Sequence, residues 1–189
     1  MGKSRRLVVF SELEKTAFYE APSFDDSDRE EYFNFSEDEI KLIGKSKEIH
    51  LNIYTAIQLA YFKVTKMFFY LPLSDVNKED LKFLITRYFP EAPEPLVISI
   101  KYIYYAGKKA ILKHYGYNDW SNKFYQIAID QVGRIIRLDT TCNFIGRELI
   151  KFFQSIKVVK PGYSILQNIV SEGLAIERNR INAIGLSAT

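Results

Sequence analysis

The chain has 189 residues, of which 47% are hydrophobic and 15% aromatic, enough to bury one compact domain or two small ones and to exclude wholesale disorder. Its net charge of +3 is uneven: residues 1–40 carry 5 Lys or Arg and 11 Asp or Glu, whereas the remaining 149 residues carry 21 and 12. The basic excess after residue 40 suits a polyanion partner such as DNA or an ordinary solvated surface, and the short, lysine-interrupted apolar stretches exclude a membrane span.

Three short helices are predicted in the first 44 residues. Ser11 with Glu14, and Ser36 with Glu39, have the capping-box spacing that satisfies the first free backbone donors of a helix. Between them, a segment with acidic residues in its first turns has the charge that the helix dipole favours. The three predicted helices span residues 11–18, 27–33 and 37–43.

A long central helix is predicted over residues 46–63, because apolar side chains recur there at intervals of three and four. Ser74 or Asp75 is predicted to cap the next helix, whose apolar side ends at Tyr88. Prolines at positions 90, 93 and 95 then predict a break, since proline disfavours helix at itself and at the preceding residue. We therefore predict a first subdomain over 1–89, a Pro-rich hinge over 90–98 and a second, basic subdomain over 99–189.

Four further helices are predicted in the second subdomain, and no alternation of strands and helices is present. The predicted helices run from Ser99 to Tyr115, from Asn118 or Ser121 to Arg137, from a cap at Thr140 or Thr141 through Phe153, and from Tyr163 to about Ile181. Pro161-Gly162 predicts a tight connection before the last of them. The fold class predicted from these patterns is all-α.

No catalytic constellation is predicted. His50 and His114 do not stand beside a carboxylate and a nucleophile, and Cys142 is alone, which excludes an internal disulfide and suits a reducing cytoplasm. Asp25, Asp26 and Asp28 lie beside Ser27, the predicted helix cap, and are interpreted as structural residues and not as metal ligands. We predict no cofactor, no metal site, no catalytic residue and a cytoplasmic location, with no membrane partner.

Several short motifs in fixed order resemble the opening region of Tn-three-family bacterial transposases. They include Val9-Phe10-Ser11, residues 28–33, 35–39 and 57–63, Phe68-Phe69, Arg87-Tyr88-Phe89-Pro90, Ile111-Leu112, Gly116-Tyr117, Trp120, Arg147-Glu148-Leu149, and residues 159–167. Together they extend over nearly the whole chain.

The resemblance implies a DNA-binding function. Members of this family use helix-turn-helix-like units in their N-terminal region to recognise the terminal inverted repeats of the transposon, while a longer C-terminal part carries three metal-binding acidic residues. It therefore implies two helix-turn-helix-like subdomains, double-stranded DNA as partner, no enzymatic activity within this chain, and a catalytic part beyond Thr189. Self-association or association with a full-length transposase is also expected.

The predicted reading helix is the one that begins at Tyr163, since a helix-turn-helix places its second helix in the major groove. Gln and Asn pair with adenine and Arg with guanine, while Lys and Arg neutralise phosphates. The predicted DNA-binding residues here are Arg147, Lys160, Tyr163, Ser164, Gln167, Asn168, Arg178 and Arg180. The alternative is that these groups are simply the solvated face of a helix.

A second predicted patch consists of Lys101, Lys108, Lys109 and Lys113, interleaved with tyrosines, where lysine would add salt-dependent phosphate contacts. Two other functions remain open. A non-catalytic interaction fragment would show an exposed apolar patch and no salt-sensitive DNA affinity. A small independent enzyme would need a concave polar site with converging titratable groups.

Overall fold

The computed structural model describes residues 7–92 and 100–187, which contain nine α-helices and no β-strand, so the all-α prediction is confirmed for them. Short 3-10 turns occur at Leu73–Asp75 and Asn122–Phe124. No helix in these ranges is long and apolar enough to cross a membrane. Numbered along the chain, the helices are α1 (Glu12–Tyr19), α2 (Asp26–Tyr32), α3 (Glu37–Ile43), α4 (Ile49–Thr65), α5 (Lys78–Tyr88), α6 (Ile100–Tyr115), α7 (Tyr125–Ile135), α8 (Cys142–Ser155) and α9 (Tyr163–Ser187).

Local capping explains where several helices begin. At α3, Ser36 Oγ accepts from the Glu39 backbone N–H at 3.3 Å, and the Glu39 carboxylate accepts from the Ser36 backbone N–H at 2.7 Å. The predicted capping box is therefore formed. At α2 the cap is Asp25 with Asp28, and the helix begins at Asp26, one residue before the predicted start.

Several predicted helix boundaries were wrong. Helix α4 begins at Ile49 and not at Ser46, and α7 begins at Tyr125, after a 3-10 turn, and not at Asn118 or Ser121. Ser74 and Asp75 lie in a 3-10 turn, and the cap of α5 is Asn77, whose Oδ1 accepts from the Glu79 backbone N–H at 2.8 Å. The last helix, α9, continues beyond the predicted end at Ile181 to Ser187. These differences reflect the choice among several neighbouring residues that can all cap or continue a helix.

The chain forms two compact units that are not divided at the prolines. One comprises residues 20–118 and is called the aromatic unit; the other comprises 1–19 with 119–189 and is called the strapped unit, with residues 7–19 as its strap. The predicted boundary at 90–98 falls inside the aromatic unit because α6 packs against α4. Residues 93–98 of the predicted hinge lie outside the described residues.

The aromatic unit is built around α4, whose residues from Ile53 to Phe62 are all buried. Tyr61 and Phe62 are among its largest fully buried side chains. Helix α6 packs closely against α4 at Gly107, where the lack of a side chain permits the approach: an added Cβ would lie 2.9 Å from Thr55 Oγ1. Buried charge is also present: Asp80 is fully buried and accepts from Arg29 Nε at 2.7 Å.

The strapped unit has a core of mainly aliphatic side chains from α7, α8 and α9. Helices α7 and α9 are in close contact at Gly173. An added Cβ there would clash with Val132 Cγ1 and lie 2.7 Å from Val132 Cβ. The strap adds Val9 and Phe10, which are 2% and 1% exposed, to the same core. The N-terminal segment thus belongs with the last three helices and not with the residues that follow it.

Candidate nucleic-acid interface

Helices α8 and α9 are joined by a tight turn, residues 156–162. Lys157 has a positive φ of 52°, its N–H donates to Gln154 O at 3.1 Å, and the Val158 N–H donates to Phe153 O at 2.8 Å. This pair of bonds is a Schellman motif, in which a left-handed residue satisfies the last carbonyls of a helix. Val158 is 1% exposed, so the turn is fixed by packing as well as by hydrogen bonds.

Helix α9 has a buried face and an opposite exposed face. Leu166, Ile169, Val170 and Gly173 are buried against the unit. The exposed side at intervals of three and four carries Ser164, Asn168, Ser171, Ala175 and Arg178. This row contains no acidic residue, and all its members except Ala175 carry side chains that hydrogen-bond to base edges or phosphates. The second helix of the pair therefore exposes the predicted kind of surface.

The strap is held against the start of α9 by hydrogen bonds between its backbone and two α9 side chains. The Tyr163 hydroxyl accepts from the backbone N–H groups of Val9 and Phe10, each at 3.2 Å, and Gln167 Nε2 donates to Leu7 O at 2.5 Å. The Tyr163 ring also stacks on Phe10, with ring centroids 6.0 Å apart. Tyr163 and Gln167 were predicted to contact DNA, but the hydroxyl and amide in question are engaged by the strap.

The strap is also fixed to α8 through Glu14. Its carboxylate accepts from Asn143 Nδ2 at 2.7 and 2.8 Å and from Arg147 Nε at 3.0 Å, and Arg147 Nη2 contacts it too. The hydrogen bonds from Asn143, then those from Arg147 and Ser11, lower the pKa of Glu14 to about 2. Arg147, another predicted DNA contact, is thus ion-paired within the unit.

Lys160 is the predicted DNA-binding residue that the fold places farthest from solvent, at 6% exposure. Its Nζ lies 5.4 Å from the ring centroid of Tyr19 and 5.8 Å from that of Phe18. Burial lowers its pKa to about 8, because removal from water disfavours the charged ammonium. Burial removes Lys160 from the surface that a duplex can contact, which corrects its predicted role.

Five predicted residues of the strapped unit remain at the surface: Arg147, Ser164, Asn168, Arg178 and Arg180. Arg180 is paired with Glu177, its Nε donating at 2.8 Å and its Nη2 at 2.6 Å. Sequence reasoning did not select Arg134, exposed on α7, and Arg137, exposed in the turn that follows it, which line a groove of about 350 Å³ with Ile176 and Glu177. Their spacing of three, within a helix predicted to extend to Arg137, was the available signal.

The second predicted patch lies on α6 in the aromatic unit. Lys109 and Lys113 are exposed, whereas Lys108 is half-buried with its Nζ 5.4 Å from the ring centroid of Phe68. The side chain of Lys101 lies outside the described residues. Of the four predicted lysines, the structure therefore shows two, Lys109 and Lys113, to be exposed at the surface.

Among the described residues, no group of three or more His, Cys, Asp or Glu side chains is placed to hold a metal ion. The chain matches the model of a domain of unknown function, DUF4158, over residues 9–173. Comparison with curated proteins gives no match. The family match includes most of the strap, the aromatic unit, and the strapped unit as far as Gly173 in α9.

Proposed function

The chain belongs to the DUF4158 family, and we propose that it binds duplex DNA through the exposed face of α9. The observation that carries the proposal is the row Ser164, Asn168, Ser171 and Arg178, opposite the buried face of a helix that follows a tight turn. Such a helix can enter a major groove, where Asn pairs with adenine and Arg with guanine. Arg134 on α7 and Arg137 in the turn after it add positive charge suited to phosphates.

The proposed ligand is the terminal inverted repeat of a Tn-three-family transposon, for which the motif resemblance is the support. In this proposal the chain is the N-terminal, DNA-binding part of a transposase, and cleavage and strand transfer are performed outside residues 1–189. The protein acts in the bacterial cytoplasm. Full-length transposase or a second copy of the chain is the expected protein partner.

In this proposal the strap is a positioning element. Tyr163 and Gln167 hold residues 7–10 against the first turns of α9, and Glu14 holds α1 against α8. These contacts fix the relative position of the two helices that a helix-turn-helix uses. Tyr163, Gln167 and Arg147 then support recognition through the fold and not by contact with bases.

Binding of the purified chain to duplexes that carry transposon ends, and to scrambled duplexes, at several salt concentrations tests the proposal. Preference for the ends that persists as salt rises is expected. Asn168→Ala and Arg178→Ala should each reduce that preference by about 1 to 3 kcal/mol. Asn122→Ala, at an exposed position before α7, is the control. Equal binding to both duplexes would refute recognition of the ends.

A second candidate function is protein association, which an exposed apolar surface favours. Leu138, Ile176 and Ile181 are 79%, 50% and 56% exposed. Ile181 also lines a largely apolar groove of about 250 Å³ with Ile136 and Leu174. Concentration-dependent self-association that Ile181→Asp abolishes, without any DNA preference, would favour this function over the first.

A further inference from the structure

One face of α6 combines lysine with exposed tyrosine. Tyr105, Lys109 and Lys113 lie at intervals of four residues, each exposed, so they form one row along the helix. Tyr105 is 60% exposed. The helix contains four lysines and no Asp or Glu, so no acidic side chain of α6 itself offsets this charge.

The row continues into a cluster of tyrosine rings, which we call the tyrosine surface: Tyr70, Tyr104 and Tyr105. The ring centroids of Tyr70 and Tyr104 are 5.4 Å apart, and those of Tyr104 and Tyr105 are 5.2 Å apart. Both contacts are edge-to-face, at 83° and 78°, so successive rings face different directions. Tyr70 is 57% exposed, so the two outer rings both present aromatic surface to solvent.

Positive charge borders these rings. Lys108 Nζ lies 5.7 Å from the ring centroid of Tyr104, within the range of a cation–π contact, and Lys109 is exposed beside it on the helix. Rings that remain more than half exposed contribute little to the core. Exposed rings next to lysine are, however, the combination by which proteins bind unpaired nucleotides: bases stack on the rings and ammonium groups neutralise phosphates.

We propose that the tyrosine surface, with Lys109 and Lys113, binds single-stranded DNA. In a duplex the faces of the bases are covered by their neighbours, so exposed rings gain no stacking from it, whereas an unpaired strand offers every base face. This proposal goes beyond duplex recognition by α9 and does not depend on it. The competing outcome is the role predicted from sequence, in which these lysines contact duplex phosphates.

The test is fluorescence anisotropy of a labelled oligothymidylate strand with the full chain, beside a duplex of equal length that lacks transposon ends. Tyr70→Ala and Tyr105→Ala should each weaken binding of the single strand by about fivefold or more, the loss expected for one stacked base. Tyr70→Phe and Tyr105→Phe keep the rings and should bind like the parent. Circular dichroism checks that each variant is folded.

The lysines are tested by the salt dependence of the same binding. Lys109→Ala with Lys113→Ala should reduce the slope of log affinity against log salt by about 1.4, the value for two phosphates of a single strand. Lys78→Ala with Lys82→Ala removes the same charge from exposed positions on α5 of the same unit and is the matched control. It should leave the slope unchanged.

Three results would overturn the proposal. The first is a loss of duplex affinity in the variant with Lys109→Ala and Lys113→Ala that is as large as its loss of single-strand affinity, which would assign the lysines to duplex phosphates. The second is parental affinity in a folded variant that carries both Tyr70→Ala and Tyr105→Ala. The third is tighter binding of oligouridylate than of oligothymidylate, which would make RNA the ligand. Where an alanine variant does not fold, Tyr105→Ser provides the comparison at the more exposed ring.

Discussion

The two units reach stability by different means. The aromatic unit contains a buried ion pair, Arg29 with Asp80, and a long helix buried over most of its length. The strapped unit has a mainly aliphatic core, and its polar contacts to the strap lie at its edge. The comparison teaches that substitutions of buried charge should matter most in the first unit, and changes in side-chain volume in the second.

The single tryptophan allows the two units to be followed separately. Trp120 belongs to the strapped unit and packs against Phe153 with ring centroids 5.5 Å apart. Its fluorescence therefore reports the strapped unit, whereas far-ultraviolet circular dichroism reports the helices of both. Unfolding in urea followed by both signals distinguishes independent units from one cooperative block.

The largest expected effect is that of Asp80→Ala. The substitution leaves the Arg29 guanidinium, which is 11% exposed, without its buried partner, and such a loss costs about 3–5 kcal/mol. The circular dichroism transition should shift to lower urea while the Trp120 transition keeps its midpoint. Asp80→Asn keeps an acceptor oxygen and should lose less. Equal shifts in both signals would show that the units unfold together.

Gly173→Ala should have the next largest effect, and on the other unit. A Cβ there clashes with Val132, so α7 and α9 must separate, at a cost of about 1–3 kcal/mol less the gain in helix propensity. The Trp120 transition should move to lower urea. Gly133→Ala on α7 is the matched control: nothing lies within 4 Å of its Cβ, and it should stabilise by about 0.5–1 kcal/mol. Similar shifts for the two variants would contradict the close packing.

Lys157→Gly should stabilise the turn between α8 and α9. Lys157 has a φ of 52°, a left-handed conformation that costs a residue with a side chain about 1 kcal/mol and costs glycine little. The greater freedom of glycine in the unfolded chain offsets part of the gain. A small rise in the urea midpoint of the Trp120 transition is expected, and a clear fall would mean that the lysine side chain stabilises the turn.

Glu14→Gln should have the smallest effect, and it is best measured by pH. The pKa of Glu14 is lowered from 4.5 to about 2, so its ionised form is favoured in the folded protein. Its contribution is therefore fully present above pH 4.5 and disappears as the pH falls towards 2. The parent strapped unit should lose stability across that interval. Glu14→Gln, which resembles the protonated carboxyl, should be slightly less stable than the parent at pH 7 and should show a flatter dependence on pH.

Local signals in the sequence predicted the helices well. The capping box at Ser36 and Glu39 forms as expected because its bonds depend on four consecutive residues. The start of α5 was wrong, since Ser74, Asp75 and Asn77 are all competent caps and packing selects among them.

The candidate site was harder to predict, because three of its polar groups are used by the strap. Nothing near Tyr163 or Gln167 in the sequence indicates that residues 7–10 occupy them, since the partners are more than 150 positions away. Lys160 has the ordinary sequence surroundings of a surface lysine, and its burial follows from the placement of Phe18 and Tyr19 over it. The exposed row from Ser164 to Arg178 was accessible to prediction because helical periodicity alone defines it.

The attachment of the strap imposes an order on folding during synthesis. The bond between Phe10 and Tyr163 joins residues 153 positions apart, so at about 5–20 residues per second the ribosome needs roughly 8 to 30 seconds between making the two. The intervening residues 20–118 form the aromatic unit and can fold on the emerging nascent chain in that time. Residues 9 and 10 are thus translated long before the partner that holds them, and until then the apolar side chains of Val9 and Phe10 are available to chaperones.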